Sequence, residues 1–204
     1  LNLCIFASGK GSNLKYLYKA HKLGKIKSKI RLVISNNSAS GAIEFARKKG
    51  IKALHISQKQ FSDYQLFTEK LLDVLKSSKI NLIILAGYMK LLPVEVVAAY
   101  RNRILNVHPA LIPSFCGQGY YGLKVHEEVL NYGCKISGAT VHLVDEVYDH
   151  GAIVLQQPVK VNDNETPLSL RTKILKIENK LMMESVKLFE SKKFNIVGRK
   201  VFFT

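Results

Sequence analysis

Leu3-Cys4-Ile5-Phe6-Ala7-Ser8-Gly9-Lys10-Gly11-Ser12-Asn13-Leu14 joins an apolar run to a glycine-rich turn and then to a segment of helical periodicity. An apolar run without polar alternation marks a strand covered on both faces. Beyond the turn, Lys15, Lys19 and Lys22 recur at the spacing of one solvated helix face. Strand, tight turn and helix in direct succession begin a unit whose next strand lies parallel to the first.

The same alternation continues outward. Leu3 to Ala7, Leu32 to Ser35, Ala53 to Ile56, Leu82 to Ala86 and Ile104 to Val107 have strand character. Asn13 to Leu23, Ser40 to Lys49, Asp63 to Ser77 and Val94 to Arg101 are predicted helices. The helix at 40 to 49 carries Ala42, Ile43, Phe45 and Ala46 as an apolar stripe and ends at Gly50, a natural C-cap. After Pro109 the pattern changes. A Gly- and Tyr-rich loop, Gly117 to Gly122, precedes a short helix at Val125 to Asn131. Strands at Ala139 to Val144 and Ile153 to Val161 follow, then a long helix from Pro167 to about Glu190. In the first of these strands Thr140, His142 and Val144 share one face. The expected fold class is α/β: a Rossmann-like, mostly parallel sheet with flanking helices. No linker, repeat or low-complexity stretch interrupts residues 1 to 204, which the pattern assigns to a single domain.

Composition narrows the function classes. An apolar fraction of 47% and a mean hydropathy of +0.03 describe a globular chain. No apolar run approaches the ~20 residues of a membrane span, and the amino end lacks a secretory pattern. Cys4, Cys116 and Cys134 are odd in number and lack CxxC spacing, which favours a reducing, cytoplasmic setting over a disulfide framework. Cys4 falls in the first strand, where a small apolar role suits it. Lys and Arg total 31 against 15 for Asp and Glu, a net charge of +16. No acidic residue precedes Glu44. Such a field favours anionic substrates. It does not by itself indicate nucleic acid, because no RNA-binding signature or aromatic stacking platform accompanies it.

Three places carry candidate chemistry. The turn at Gly9 to Asn13 presents backbone N–H groups at a helix N-terminus, which suits a phosphate, with Ser12 or Asn13 as N-cap or added donor. It lacks the third glycine of a dinucleotide fingerprint and the Gly-Lys-Ser/Thr of a P-loop. A purely structural turn is the competing reading. Asn106-Val107-His108-Pro109 ends the fifth strand, so Asn106 and His108 point the same way. An amide donor beside an imidazole suits a tetrahedral oxyanion, and open α/β sheets place ligands at carboxyl strand ends. Between the two late strands, Asp145-Glu146-Val147-Tyr148-Asp149-His150-Gly151 offers a carboxylate that can orient His108 and favour its charged form. The spacing fits neither a calcium loop nor a zinc site, so no metal is expected.

Taken together, these segments resemble the phosphoribosylglycinamide formyltransferase family. The matching blocks are Ala7 to Leu14, Val33-Ile34-Ser35-Asn36, Leu85-Ala86-Gly87-Tyr88-Met89, and Asn106-Val107-His108-Pro109-Ala110-Leu111-Ile112-Pro113-Ser114-Phe115. Gly138-Ala139-Thr140-Val141-His142 and Asp149-His150-Gly151 with Ile153-Val154-Leu155-Gln156 complete the set. The resemblance implies a formyltransferase fold and transfer of a formyl group from 10-formyltetrahydrofolate, a cosubstrate, to the amine of glycinamide ribonucleotide in purine synthesis. It implies that Gly11, Ser12 and Asn13 hold the ribotide phosphate, and that Glu178 lies near the ribotide. It implies that Met89, Lys90, Leu91 and Leu92 line the pterin pocket with the loop leading to Asp149, and that Asn106 borders the folate. Tyr64 stands where some members carry a basic residue near the folate. Asn106 and His108 would stabilise the intermediate. Asp149 would raise the pKa of His108 and help pass a proton, through water, from amine to folate nitrogen. Partners would be these small molecules, with no nucleic acid or membrane, on a monomer or homodimer.

Two enzymes have similar catalytic cores, and one of them, methionyl-tRNA formyltransferase, has a comparable Asn-x-His and Asp-x-Gly set. Methionyl-tRNA formyltransferase adds a carboxyl-terminal RNA-binding domain and formyltetrahydrofolate hydrolase an amino-terminal regulatory domain, and neither is expected in this protein. The turn at Gly11 to Asn13 favours a ribotide substrate over both.

Overall fold

The structure, a computed structural model, describes residues 1–191 and 193–204. It forms two compact units, Leu1–Leu105 and Asn106–Thr204.

In the first unit β1 (Asn2–Phe6), β2 (Lys29–Ser35), β3 (Lys52–His55) and β4 (Leu82–Leu85) form a parallel sheet in the order β3-β2-β1-β4. The helices α1 (Ser12–Lys22), α2 (Gly41–Lys48) and α3 (Tyr64–Ser77) are the crossovers, and α4 (Val94–Ala99) follows β4. Leu3 to Phe6, Leu32 to Ile34 and Leu82 to Ile84 are buried, as expected of strands covered on both faces. Caps set where the helices begin. Ser40 accepts the Ile43 N–H at 3.3 Å to start α2, and Asp63 accepts the Leu66 N–H at 2.8 Å to start α3. Helix α1 differs from expectation. Its N-cap is Gly11, at φ 69°, with no side-chain cap, so neither Ser12 nor Asn13 fills that role. A Cβ at Gly11 would lie 3.0 Å from both Cα and Cβ of Ala42, so close packing of the turn on α2 and its left-handed backbone both require glycine.

The strand β5 (Ile104–His108) carries the chain into the second unit, which holds α5 (Lys124–Asn131), β6 (Ile136–Leu143), β7 (Ile153–Lys160), α6 (Pro167–Ser191), β8 (Phe194–Val197) and β9 (Lys200–Phe203). Here the sheet is mixed: β6 and β7 are antiparallel, β7 and β9 parallel, β8 and β9 antiparallel. Nearly all of β6 is buried, and α6 packs on it with Leu170, Ile174, Leu181, Met182 and Val186 turned inward. The hairpin β8–β9 was absent from the sequence expectation, which ended on the long helix. Phe194 and Phe203 pack on Phe189 of α6 at ring separations of 4.7 and 5.8 Å, so the hairpin gains an apolar anchor that two strands of four residues lack alone. Among the described residues no helix is long and apolar enough to cross a membrane.

The turn from β6 to β7 leaves no space at Gly151, where a Cβ would stand 1.8 Å from the carbonyl oxygen of Leu143. Gly151→Ala is expected to cost about 2–3 kcal/mol, a fall in Tm of roughly 5–10 °C. Gly9→Ala, whose Cβ meets nothing within 4 Å, is expected to leave Tm within about 2 °C of wild type. Paired melting curves decide the point, and equal Tm values for the two variants would contradict it.

Candidate active site

Strand alternation places Asn106 and His108 on one face of β5. Pro109 ends that strand, and the turn behind it is fastened by Thr140 of β6. The Thr140 hydroxyl donates to the Ala110 carbonyl at 2.7 Å and accepts the Ile112 N–H at 3.1 Å. The following segment is gripped at Phe115, whose ring meets Tyr120 and Tyr132.

Three elements of the second unit therefore converge: β5, β6 and the loop to β7. His108 and His142 are 4% and 1% exposed. Asp149 sits between them, its Oδ2 3.4 Å from His108 Nδ1 and its Oδ1 3.5 Å from His142 Nε2. The Asn106 amide nitrogen donates to Asp149 Oδ1 at 3.1 Å, and the Gly117 N–H donates to Asp149 Oδ2 at 3.0 Å.

Hydrogen-bond partners fix the protons. A carbonyl oxygen only accepts, so His142 Nδ1–H donates to Leu143 O at 2.7 Å and its Nε2 is left bare. That bare nitrogen accepts from Asn106 Nδ2 at 3.0 Å. Both neighbours of Asn106 Nδ2 are acceptors, which also fixes the orientation of the amide. The same reasoning puts a proton on His108 Nε2, which donates to the Phe115 carbonyl at 2.8 Å. His108 Nδ1, facing Asp149, is thus the one ring position free to gain or lose a proton.

Burial lowers the pKa of His108 below the ordinary 6.5, although Asp149 and the Phe115 carbonyl pull it upward. The expected direction of the Asp149 effect is present, but desolvation outweighs it. For Asp149 burial raises the pKa, yet His142, His108 and the Gly117 N–H together bring it below the ordinary carboxylate value. At neutral pH the pair is a neutral imidazole beside a carboxylate. Nearby, burial and the Arg171 charge lower His126 to about 4.

The structure brings together Asn106, His108 and Asp149. His142 joins them; the sequence pattern had placed it on the face shared with Thr140 without assigning it a role. Phe115 O and Gly117 N–H belong to the site through the backbone, which no side-chain motif signals. Both N–H groups of Asn106 are directed to His142 and Asp149, not outward as an oxyanion donor would be.

The remaining candidates divide between the units. Gly11, Ser12 and Asn13 form the turn of the first unit, where Asn13 is 5% exposed and its Oδ1 has no hydrogen-bond partner. Ser8 ties this turn to the segment after β4: its hydroxyl donates to Asn36 Oδ1 at 2.6 Å and accepts the Met89 N–H at 3.0 Å. Met89, Lys90 and Leu91 are exposed there, whereas Leu92 is buried. Tyr64, half exposed at the start of α3, packs on Phe67 at 5.9 Å. Glu178 is half-buried on α6 in the second unit. Among the described residues no group of three His, Cys, Asp or Glu side chains is placed to hold a metal ion.

Comparison with known proteins matches residues 1–186 to the formyl transferase family. The chain is 42% identical over 186 residues to the chloroplastic phosphoribosylglycinamide formyltransferase of Arabidopsis thaliana, covering 90% of this chain and 63% of that protein. It thus spans less than two thirds of that relative's length. Among solved structures, glycinamide ribonucleotide transformylase 1 from Symbiobacterium toebii superposes with a TM-score of 0.92 at 33% identity, over 100% of this chain and 93% of the other. Phosphoribosylglycinamide formyltransferase from Anaplasma phagocytophilum gives 0.88 at 33%, over 100% and 94%.

The lowered His108 and Asp149 values carry a stability consequence. In both cases the unfolded chain binds its proton at higher pH than the folded one. Their contribution is complete above about pH 6.5 and is lost as pH falls, through the folded value of His108 first and that of Asp149 next. His108→Gln is therefore expected to lose less Tm than wild type between pH 7 and 5. Parallel falls in a pH series of melting curves would place the loss on other groups.

Proposed function

Since the chain belongs to the formyl transferase family, we propose that it moves a formyl group from 10-formyltetrahydrofolate to the amine of glycinamide ribonucleotide, a step of purine synthesis. The observation that carries the reading is the His108–Asp149 pair, with one ring nitrogen immobilised on Phe115 O and the other 3.4 Å from the carboxylate. The names of the similar proteins, the plant enzyme and the two solved structures, support the choice of acceptor.

The glycinamide nitrogen attacks the formyl carbon, forming a C–N bond and a tetrahedral centre that bears an oxyanion. The nitrogen then gives up a proton, through water, to the Asp149 carboxylate. Because His108 Nδ1 faces that carboxylate, the proton has a second place to reside, and the positive charge of the resulting imidazolium, whose N–H groups stay on Phe115 O and Asp149, stabilises the oxyanion through space. Collapse breaks the bond from carbon to the folate nitrogen, which takes the proton. One proton leaves the amine and one arrives on the folate, so the site returns to its starting state. Asn106 holds Asp149 and His142 in register and can turn an N–H to the oxyanion only by releasing one of them.

The turn at Gly11, Ser12 and Asn13 is assigned to the ribotide phosphate: a left-handed glycine opens a helix whose first N–H groups lack a side-chain cap, and the Asn13 amide oxygen is buried without a partner. The exposed Met89, Lys90 and Leu91 are assigned to the folate, with Leu92 behind them as support. Tyr64 and Glu178 are assigned by family resemblance to the folate and ribotide sides. Residues 1–204 are assigned to one catalytic domain, and a cytoplasmic location accords with three free cysteines.

Purified protein is expected to convert 10-formyltetrahydrofolate to tetrahydrofolate only when glycinamide ribonucleotide is present. Turnover without the ribotide would instead indicate hydrolysis to formate. His108→Ala and Asp149→Asn are each expected to lower kcat about a hundred- to a thousandfold while the melting transition stays cooperative. A rate within tenfold of wild type in either variant would overturn the assigned mechanism.

A further inference from the structure

The residue after Asp149 is held from a distance. The guanidinium of Arg199, at the tip of the β8–β9 hairpin, donates through Nη1 to His150 Nε2 at 2.8 Å and through Nη2 to the His150 carbonyl. His150 Nδ1 meets Asp145 Oδ2 at 2.7 Å, closing a chain from Arg199 through the ring to the start of the loop. The pattern is self-consistent: the guanidinium has only donors, so Nε2 must be bare and Nδ1 must carry the proton that Asp145 accepts. A forked donor on both ring and carbonyl of one residue restrains its backbone and side chain together.

Asp149 needs such restraint. Its φ is 51°, in the left-handed region that non-glycine residues occupy at a cost of roughly 1 kcal/mol or more. Such a conformation persists where neighbours over-determine it. On one side its carboxylate is held by Gly117 and Asn106; on the other, Gly151 is wedged against Leu143 O. His150 lies between, and Arg199 is what grips it. The hairpin that carries Arg199 is itself fixed, by Phe189, Phe194 and Phe203 and by pairing of Lys200 with Ile153, just past the loop. The family match ends at residue 186, short of this hairpin.

From this geometry we infer that Arg199 is a positioning residue for Asp149, acting through His150 to hold the catalytic loop in its working conformation. The kinetic part of the inference rests on the formyl-transfer reading; the anchoring part does not. Arg199 and His150 are exposed, so loss of the contact hardly touches global stability. Its effect falls on the loop.

The test combines backbone 15N relaxation with steady-state kinetics on the full chain and on Arg199→Ala and Arg199→Lys. In Arg199→Ala, order parameters at His150 and Gly151 are expected to fall from about 0.85 to below about 0.6, with residues 194–203 unchanged. At saturating 10-formyltetrahydrofolate and ribotide, kcat should drop roughly tenfold, and Arg199→Lys should recover only part of it because an ammonium lacks the fork. Unchanged order parameters at 149–151 overturn the inference, as does a loosened loop with wild-type kcat. If the wild-type protein transfers no formyl group, the functional reading fails, while relaxation still decides whether the guanidinium anchors the loop.

Discussion

A carboxylate with one-tenth of its side-chain surface exposed, flanked by two histidines, is the constraint from which the second unit can be understood. Burying Asp149 is unfavourable unless its charge is met by donors. Two conventional donors meet it, the Gly117 N–H and the Asn106 amide, while His108 and His142 stand within 3.5 Å. Each donor imposes a demand elsewhere. Gly117 can serve only if the segment from Phe115 lies across the end of β5, and Asn106 only if His142 keeps its proton on Nδ1. The site's electrostatics and its backbone course are thus one arrangement.

Desolvation explains why the pair is set as it is. If His108 were exposed, a neighbouring carboxylate would raise its pKa and it would hold a proton near neutrality. Burial reverses the balance and leaves the imidazole neutral and the carboxylate charged. In the proposed reaction such a pair would pass on the proton of the attacking amine rather than retain it, because the imidazolium is itself poorly solvated. A base that bound its proton strongly would stall before the leaving group could take it. The low-dielectric setting therefore favours transit of the proton over storage.

Much of this was legible in the sequence, for identifiable reasons. The parallel unit is written in apolar runs joined by helical periodicity, and Asn106 and His108 are placed together by the two-residue repeat of a strand. The loop framed by the late strands could be read as offering His108 a carboxylate, and the family resemblance singled out Asp149 within it. What escaped was of two kinds. His142 looked like one more inward-facing residue of an alternating strand; its role depends on which chain lies opposite, a tertiary fact. Phe115 O and Gly117 N–H act through the backbone, and backbone groups leave no trace in residue identity. The glycine turn was legible in place but not in detail: Gly11 itself begins α1, since its left-handed φ and its contact with Ala42 leave no room for a capping side chain before Ser12.

The carboxyl-terminal hairpin shows why local signals underestimate a protein of this kind. Phe194-Asn195-Ile196-Val197 and Lys200-Val201-Phe202-Phe203 alternate across a glycine-containing turn, yet two four-residue strands are marginal in water. Their stability comes from Phe189, in the last turn of a 25-residue helix that also packs on β6. Once docked, the hairpin presents Arg199 to the loop between β6 and β7, nearly fifty residues earlier in the chain. The left-handed backbone at Asp149 is then held on both flanks: by Gly117 and Asn106 at the carboxylate, and by Arg199 at the following residue. A strained conformation supported from one side only would relax by turning the peptide that follows it. Arg199 holds the ring and carbonyl of His150, the residue on the far side of that peptide, and so restrains its turning and helps keep the Asp149 carboxylate opposite His108 Nδ1.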